Sequence, residues 1–427
     1  MNSSKTSCDV LVIGAGAAGL FATLWAGRTA RQANCHASII ALDGARKLGA
    51  KILIAGGGRC NVTHDEVTET DFAGSTPPAI RKVLRQFSVA DTLDFFRQIG
   101  VELKREDTGK LFPVSDSART VLNALVDEVK KNGAVIRCPA NVTRLEKNGT
   151  VFTVTTPSET FTAHHVILCT GGKSLPKSGS DGRGYELAQR LGHSLSEPII
   201  PALVPLLLPD GHWITHLSGL TVATEVKLLA RSGKQLTACR GSTLCTHTGL
   251  SGPSILDISR HFLMAKSVDP SVSLVINWLP EKQPEDLHQE LIDLQSRGVQ
   301  SFLRRHVPAR LAQALCAQAE APCTGDLSRE ARKRLVRILT ATPLDIVGDR
   351  GFSVAEATAG GIPLSEVTLH TMESRIVPGL FFAGEMLDVD GRIGGFNFQW
   401  AWSSGFVAGC HAVQAVLQRF NDTHQQD

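Results

Sequence analysis

The 427-residue chain has no CxxC pair, and none of its ten cysteines stands at a cysteine–histidine spacing that holds zinc. That removes dithiol redox chemistry of the CxxC kind, and a metal site is not expected. A disulfide framework is not expected either in so large a chain without a secretory signal, so the thiols read as reduced and the compartment as cytoplasm. No charge of one sign dominates. The 44 Lys and Arg against 41 Asp and Glu leave a formal +3, which makes no global case for nucleic acid or an anionic membrane. Tyrosine occurs once, at Tyr185, and internal repeats at solenoid periods are absent. One apolar run, Val10 to Gly27, approaches the length of a membrane span and could imitate a signal peptide. Glycines at positions 14, 16 and 19 split it into a short strand and a helix, which argues against both.

Glycine is what the chain has in excess, with 39 residues clustered in a few loops. Asp9–Ile13 reads as a buried parallel strand, Leu20 to about Arg31 as a helix, and Ala37–Leu42 as a second strand ending at Asp43, which makes a βαβ unit. Between strand and helix stands Gly14-x-Gly16-x-x-Gly19, the context in which this pattern is informative. Gly14 permits the turn, Gly16 the approach of a pyrophosphate, and Gly19 close helix–strand packing. The helix N-terminus offers N–H groups to phosphate. Asp43 is placed for ribose hydroxyls and favours FAD or NAD over NADP.

Further along, Gly49–Asn61 reads as a glycine-rich loop containing Gly56, Gly57, Gly58, Arg59, Cys60 and Asn61. Its glycines would let the backbone approach a flat ligand. Lys51 and Arg59 would neutralise pyrophosphate or a reduced flavin. Helices are expected over Ala79–Phe87, Val89–Ile99 and Ala118–Lys131, and strands over Ala134–Cys138, Val151–Thr155, Thr160–Ala163 and His165–Cys169. The last runs into Thr170-Gly171-Gly172, a crossover over the cofactor. From about 200 to 278 short β-like runs dominate, such as Glu225–Ala230 and Val272–Trp278. From Pro284 to Leu344 the spacing of Leu287, Leu291 and Leu294, and of Leu327, Ala331, Leu335 and Leu339, is helical. The pattern predicts a dinucleotide-binding domain in two parts, 1–192 and 345–427. A β-rich domain over 193–280 and a small helical subdomain over 281–344 interrupt it.

The C-terminal segment Phe382-Ala-Gly384-Glu385…Gly394-Gly395-Phe396-Asn397 reads as the strand and loop that close the same site. Glu385 and Asp388 would hold ribitol hydroxyls, and Gly394 to Asn397 would bring N–H groups to the pyrimidine oxygens. A helix over Gln399–Ala408 would turn its positive end to the isoalloxazine. A pyridine-nucleotide dehydrogenase needs no such segment, and a disulfide-reductase type of flavoenzyme needs a second nucleotide fingerprint that is missing. One site filled by FAD is the reading.

Together GAGAAG, GGGRCN, TGGKSLPKSGSDGRGYELAQRLGH and GEMLDVDGRIGGFNFQWAWSSG resemble the BaiN-like flavoproteins, the aminoacetone-oxidase-type FAD-binding family. The resemblance implies a glutathione-reductase-like, Rossmann-type α/β FAD domain interrupted by a β-barrel-like domain and a helical one. It also implies oxidation of an amino-ketone or reduction of a double bond conjugated to a steroid ketone. Carried over by position, it implies FAD contacts at Ala17, Asp43, Lys51, Gly58, Asn61, Val142, Glu385, Asn397 and Phe398. The family commonly has Arg-Lys where this chain has Ala50-Lys51, so one phosphate contact is in question.

Catalytic groups are harder to read. His247, in the polar loop Thr246–Pro253, is a candidate general acid or base, and its alternative is a turn histidine. Cys60 is a candidate reactive thiol or a small side chain packed beside the cofactor. His212 and His216 flank Trp213 without metal or triad spacing. Arg329, Arg332, Lys333, Arg334 and Arg337 give the helix over Ser328–Thr340 a basic face, without the aromatic interleaving of a nucleic-acid site. The expectation is an FAD-dependent oxidoreductase that passes a hydride between flavin and a small or medium organic substrate, with NAD(P)H as a transient donor or O₂ as an acceptor. The alternatives are an FAD-dependent RNA-modifying enzyme and a non-catalytic redox-sensing flavoprotein. Oligomeric state is not legible.

Overall fold

The computed structural model describes residues 4–294, 298–322 and 327–424. Cys323, one of the thiols read above as reduced, lies outside them. The chain forms two compact units, residues 1–199 with 357–427, and residues 200–356.

The first unit is built on strands whose central ones are apolar toward their C-terminal ends. Strand β1 (Ser4–Ile13) lies between β2 (Ile39–Leu42) and β4 (Glu159–Leu168). Strand β3 (Val135–Arg137) flanks β2, and β5 (Leu380–Phe382) flanks β4, all parallel. Val10, Leu11 and Val12, like Val166, Ile167 and Leu168, are buried on both faces, as a parallel sheet covered by helices requires. An antiparallel hairpin, Arg144–Asn148 and Val151–Thr155, extends the sheet from β4. The two runs expected at 160–163 and 165–169 are one continuous strand.

Helix α1 (Ala17–Gln32) packs against the long C-terminal helix Phe396–His424. A Cβ at Gly409 would stand 2.3 Å from Ala22 O, so only glycine allows that approach. The Val10–Gly27 run is thus a strand, a turn and a helix, and no described helix is long and apolar enough to cross a membrane. The expected loop at 49–61 is largely a helix, Ala50–Gly58. It breaks at Ala55, Gly56 and Gly57, where the backbone leaves helical angles.

The second unit corrects the expected division. The β-rich and helical stretches share one core: Leu274 and Ile276 of strand Ser273–Asn277 pack in it with Leu287, Leu291, Leu335 and Leu339. The helical face predicted from leucine spacing is buried against its own sheet, so the described residues of the helical stretch share one core with that sheet. The sheet has seven strands in an open order running from Thr342–Leu344 to Gly348–Asp349, and no pairing among the described residues closes it into the expected barrel. The boundaries fall at 199/200 and 356/357 rather than at 192/193 and 344/345. Trp278 seals the helix–sheet seam, donating from Nε1 to Thr342 Oγ1 (3.0 Å).

Candidate cofactor site

The order β5–β4–β1–β2–β3 reverses direction between β1 and β4, and a crevice at the carboxyl ends of such strands is where open α/β sheets bind ligands. Both ends carry the predicted glycines. Ile13 pairs with Leu168, so Gly14 and Thr170 leave the sheet side by side, and a Cβ at Gly14 would stand 2.5 Å from Cys169 O. One at Gly19 would stand 1.8 Å from Gly14 O. Those two glycines are demanded by the fold.

Gly16 is not. Its φ is −74°, open to any residue, and a Cβ there meets no protein atom within 4 Å. The helix it begins has no side-chain cap and no acid in its first turn. A glycine that neither backbone nor packing requires, at an uncapped N-terminus, fits a pyrophosphate. Ala17 is the first helical residue.

Asp43 follows β2. It accepts from Ala15 N–H (2.7 Å) and Ala45 N–H (2.8 Å), which fixes it beside the turn. Burial pushes its carboxyl above the ordinary value, against the pull of those two donors. Ala140 N–H donates to Asp43 O (2.6 Å) and brings the segment leading to the buried Val142 to the same end of the sheet.

A second cluster joins residues far apart in sequence. Lys51 forms an ion pair with Glu385 and donates to Ser174 Oγ (2.7 Å). Glu385 Oε1 accepts from Ser174 Oγ (2.8 Å) and Thr358 N–H (2.8 Å). Thr358 Oγ1 in turn accepts from Lys173 and Ser174 N–H (2.8 and 3.0 Å), which pins the Thr170–Gly172 crossover. Lys51 and Glu385 therefore face each other, where the sequence reading gave them separate ligands. Ser174 and Thr358 were missed: Ser174 lies in a quoted motif, while Thr358 carries no sequence signal.

The return segment is held as firmly. Gly384 N–H donates to Ser404 Oγ (2.9 Å), and Trp400 Nε1 donates to Gly384 O (3.1 Å). Asp388 is half-buried, its backbone bonded to Ile362 and Ser75. The helix expected from Gln399 begins earlier, at Phe396, and runs to His424. Asn397 spends its side-chain amide on both backbone groups of Gly391 (2.8 and 2.9 Å), and Phe398 stacks on Trp402. Gln399, also missed, accepts from Thr63 and Thr92 hydroxyls and donates to Phe87 O and Ser403 Oγ, with all four distances between 2.7 and 3.2 Å. It locks the first helical turn onto the segment after Asn61. Gly394 and Gly395, both at positive φ, make the turn into the helix.

Other expected residues are committed to partners of their own, packed in a core, or part of the other unit. Arg59 is taken by Glu106 (2.6 Å) and Asp116 (3.6 Å) and lies over the Phe112 ring. Cys60 is fully buried, and burial pushes its thiol up to about 12. It is a neutral packed side chain at physiological pH, which corrects the reactive-thiol expectation. His247 belongs to the other unit, in the exposed turn between strands Gln235–Thr246 and Gly249–Ser251. His212 accepts from Ile214 N–H (3.2 Å) and stacks on Trp213, the packing role of a turn histidine. Tyr185 is buried in helix Arg183–Arg190, and its hydroxyl donates to Glu385 O (3.4 Å).

The polar inventory also fits a ligand rich in oxygen. Asn61 Oδ1, Thr170 Oγ1 and Ser180 Oγ are buried without a hydrogen-bond partner, all in segments that meet here, and buried polar atoms are seldom left so. FAD fits these residues. Gly16 and Ala17 would meet the pyrophosphate, Asp43 the adenosine ribose, and the Gly384–Asp388 and Gly394–Phe398 segments the flavin half.

Comparison with known proteins agrees. Residues 8–411 match the HI0933-like protein Rossmann domain. The chain is 34% identical over 412 residues to a protein of Clostridium scindens named 3-dehydro-bile acid delta(4,6)-reductase, covering 94% of this chain and 98% of that one. It is 33% identical over 412 residues to an Escherichia coli K12 protein named ribosomal RNA dihydrouridine synthase, covering 95% and 98%. Among solved structures, the 3-ketosteroid delta1-dehydrogenase of Sterolibacterium denitrificans superposes with a TM-score of 0.53 at 11% identity, over 96% of this chain and 100% of that one, a likeness of fold. With its Rossmann turn, its returning C-terminal segment and this match, the chain belongs to the HI0933-like family of FAD-dependent, BaiN-like oxidoreductases.

Proposed function

We propose that this protein reduces a carbon–carbon double bond conjugated to a carbonyl in a small or medium organic substrate, with NAD(P)H as the transient electron donor. One observation carries the reading. Two relatives of nearly equal similarity have names that describe the same chemistry, since a delta(4,6)-reductase of a 3-dehydro compound and a dihydrouridine synthase both saturate such a bond. The product gains a hydride at the carbon β to the carbonyl and a proton at the α carbon, and the two electrons come from NAD(P)H. Bound FAD supplies the hydride-exchange chemistry.

The chain supplies position and charge. The N-termini of α1 and of Phe396–His424 offer unpaired N–H groups to phosphate and to negative charge on the ring. The Lys51–Glu385–Ser174–Thr358 network and Gln399 hold the crossover, the return segment and the helix start in register. Neither Cys60 nor Tyr185 is fitted to give up a proton, because burial pushes both upward, Cys60 to about 12.

A second reading has its own support. The Escherichia coli relative is named for ribosomal RNA, and on helix Arg329–Ala341 the side chains of Arg329, Lys333, Arg334 and Arg337 are exposed. In that reading the double bond belongs to a uracil base. Against it, Lys333 pairs with Glu330 and Arg334 with Glu320, as on an ordinary solvated face.

The test is anaerobic stopped-flow at about 450 nm with NADH and NADPH, followed by reoxidation with a 3-keto-4-ene steroid, a simple cyclic enone and a ribosomal RNA transcript. Fast bleaching with reoxidation by an enone supports the first reading, and reoxidation by RNA alone supports the second. Flavin that neither nucleotide bleaches, but that an amine or a hydroxy compound does, overturns both.

A further inference from the structure

A small three-stranded sheet, Thr63–His64, Leu103–Arg105 and Lys110–Pro113, stands beside the Gly394–Gly395 turn. Its register sets His64 opposite Lys110. A Cβ at Gly394 would stand 3.6 Å from His64 Cδ2 and 3.6 Å from Lys110 Cε, so both side chains cover the turn that starts the C-terminal helix. The His64 ring stacks on Phe396, the first residue of that helix, with ring centres 4.9 Å apart.

Most charges of this rim are paired. Asp65 pairs with Arg105, Asp71 with Arg392, Glu106 with Arg59, and Asp116 with Lys104. The ring nitrogens of His64 are engaged by Thr108 O, Glu66 O and the Asp65 carboxylate. Asp107, on the same hairpin, is exposed. Lys110 is half-buried, and among the described residues its ammonium has no ion pair and no hydrogen bond. An unspent cation thus lies alongside the N-terminus of a 29-residue helix, whose own dipole is positive at that end.

We propose that Lys110 is a positioning residue for charge in the cofactor site. Together with the first-turn N–H groups of the helix, it favours negative charge on the pyrimidine side of the reduced flavin and so eases reduction by NAD(P)H. The proposal rests on the FAD reading and on the Gly394–Asn397 segment facing the pyrimidine oxygens. A partly buried cation acts there through a lower dielectric than bulk water, without touching the reacting atom.

The experiment compares the purified holoprotein with Lys110→Met, which keeps the stem that packs on the turn, and Lys110→Arg, which keeps the charge. Flavin content is read first from the visible spectrum. Next come the two-electron midpoint potential, by anaerobic equilibration with reference dyes, and the dissociation constant of the sulfite adduct. Lys110→Met should disfavour the reduced form by about tenfold, a fall of about 30 mV for a two-electron couple. It should also weaken sulfite binding by a similar factor, while Lys110→Arg stays within about twofold. Flavin bound in all three proteins with equal potentials overturns the proposal. So does an equal fall in both variants, because packing rather than charge would then be responsible. If Lys110→Met fails to hold flavin, a normal potential and sulfite affinity in Lys110→Arg support the proposal and altered ones overturn it. A wild-type chain that neither carries nor takes up FAD defeats the cofactor reading itself, an outcome distinct from the others.

Discussion

Gly16→Ala should separate cofactor binding from folding. Alanine adopts the φ of −74° found at position 16, and its Cβ would meet no protein atom within 4 Å. Replacing glycine at a compatible site removes unfolded-chain entropy worth about 0.4–1 kcal/mol. Losing glycine from a helix N-cap costs a similar amount. The ligand-free fold should therefore change by less than about 1 kcal/mol, or a few degrees in Tm at most. The bound pyrophosphate should not be indifferent. A methyl group at that position lengthens the bonds from the helix N-terminus, and charge-assisted hydrogen bonds contribute about 1.5–3 kcal/mol each. Loss of one to two of them raises the FAD Kd by about tenfold at the least, and by about 100-fold for a loss near 3 kcal/mol. Gly19→Ala is the control, since its Cβ would stand 1.8 Å from Gly14 O and must displace the strand–helix turn. It should depress the melting temperature with or without FAD. The assay is FAD titration of deflavinated protein by fluorescence, beside thermal melts of the same samples. Gly16→Ala binding FAD within threefold of wild type would refute the pyrophosphate assignment.

Glu385→Ala should unfold at lower urea, by about 2 kcal/mol. It strands Lys51 and leaves Ser174 Oγ and Thr358 N–H without their acceptor, whereas Glu385→Gln keeps an acceptor oxygen and should lose less than half as much; equal losses would mean that the ion pair to Lys51, and not these hydrogen bonds, carries the stabilisation. Burial, reinforced by the charges of His164 and Arg419, pushes His165 down to about 4. The native state then binds fewer protons there than the unfolded chain, so this contribution is complete above about pH 6.5 and is lost as pH falls toward 4, up to about 3 kcal/mol. His165→Gln should flatten that slope in pH-dependent denaturation, and parallel curves would exclude the histidine as its source. A thiol reagent at pH 8 should label the exposed Cys138 and leave the buried Cys60, Cys8 and Cys169 unreacted until denaturant is added. Mass spectrometry of the native protein gives the answer, and rapid labelling of Cys60 would restore it as a reactive group.

The sequence by itself determined whatever rests on local backbone chemistry. An apolar strand running into glycines 14, 16 and 19 has one common solution, and α1 follows it. Helices with strong amphipathic spacing, such as Ala118–Lys131, are where periodicity puts them. The two-part first unit was legible because its last strand and loop have their own glycine pattern.

Only the tertiary structure decided which charges meet. Lys51 and Glu385 are 334 residues apart, one following β2 and the other β5, and they pair because the segments that leave these parallel strands meet at the same end of the sheet. Arg59 reads as a free cation until the hairpin at 103–113 supplies Glu106, and Lys110 reads as an ordinary surface lysine until Asp65, Asp71, Glu106 and Asp116 are seen to have other partners. The leucines of 287–339 announce a buried face, yet spacing cannot name what buries it, and their own sheet does so here. Local pattern fixes which face is apolar and which turn is tight. Partner choice depends on residues distant in sequence, whose meeting is set by the strand order.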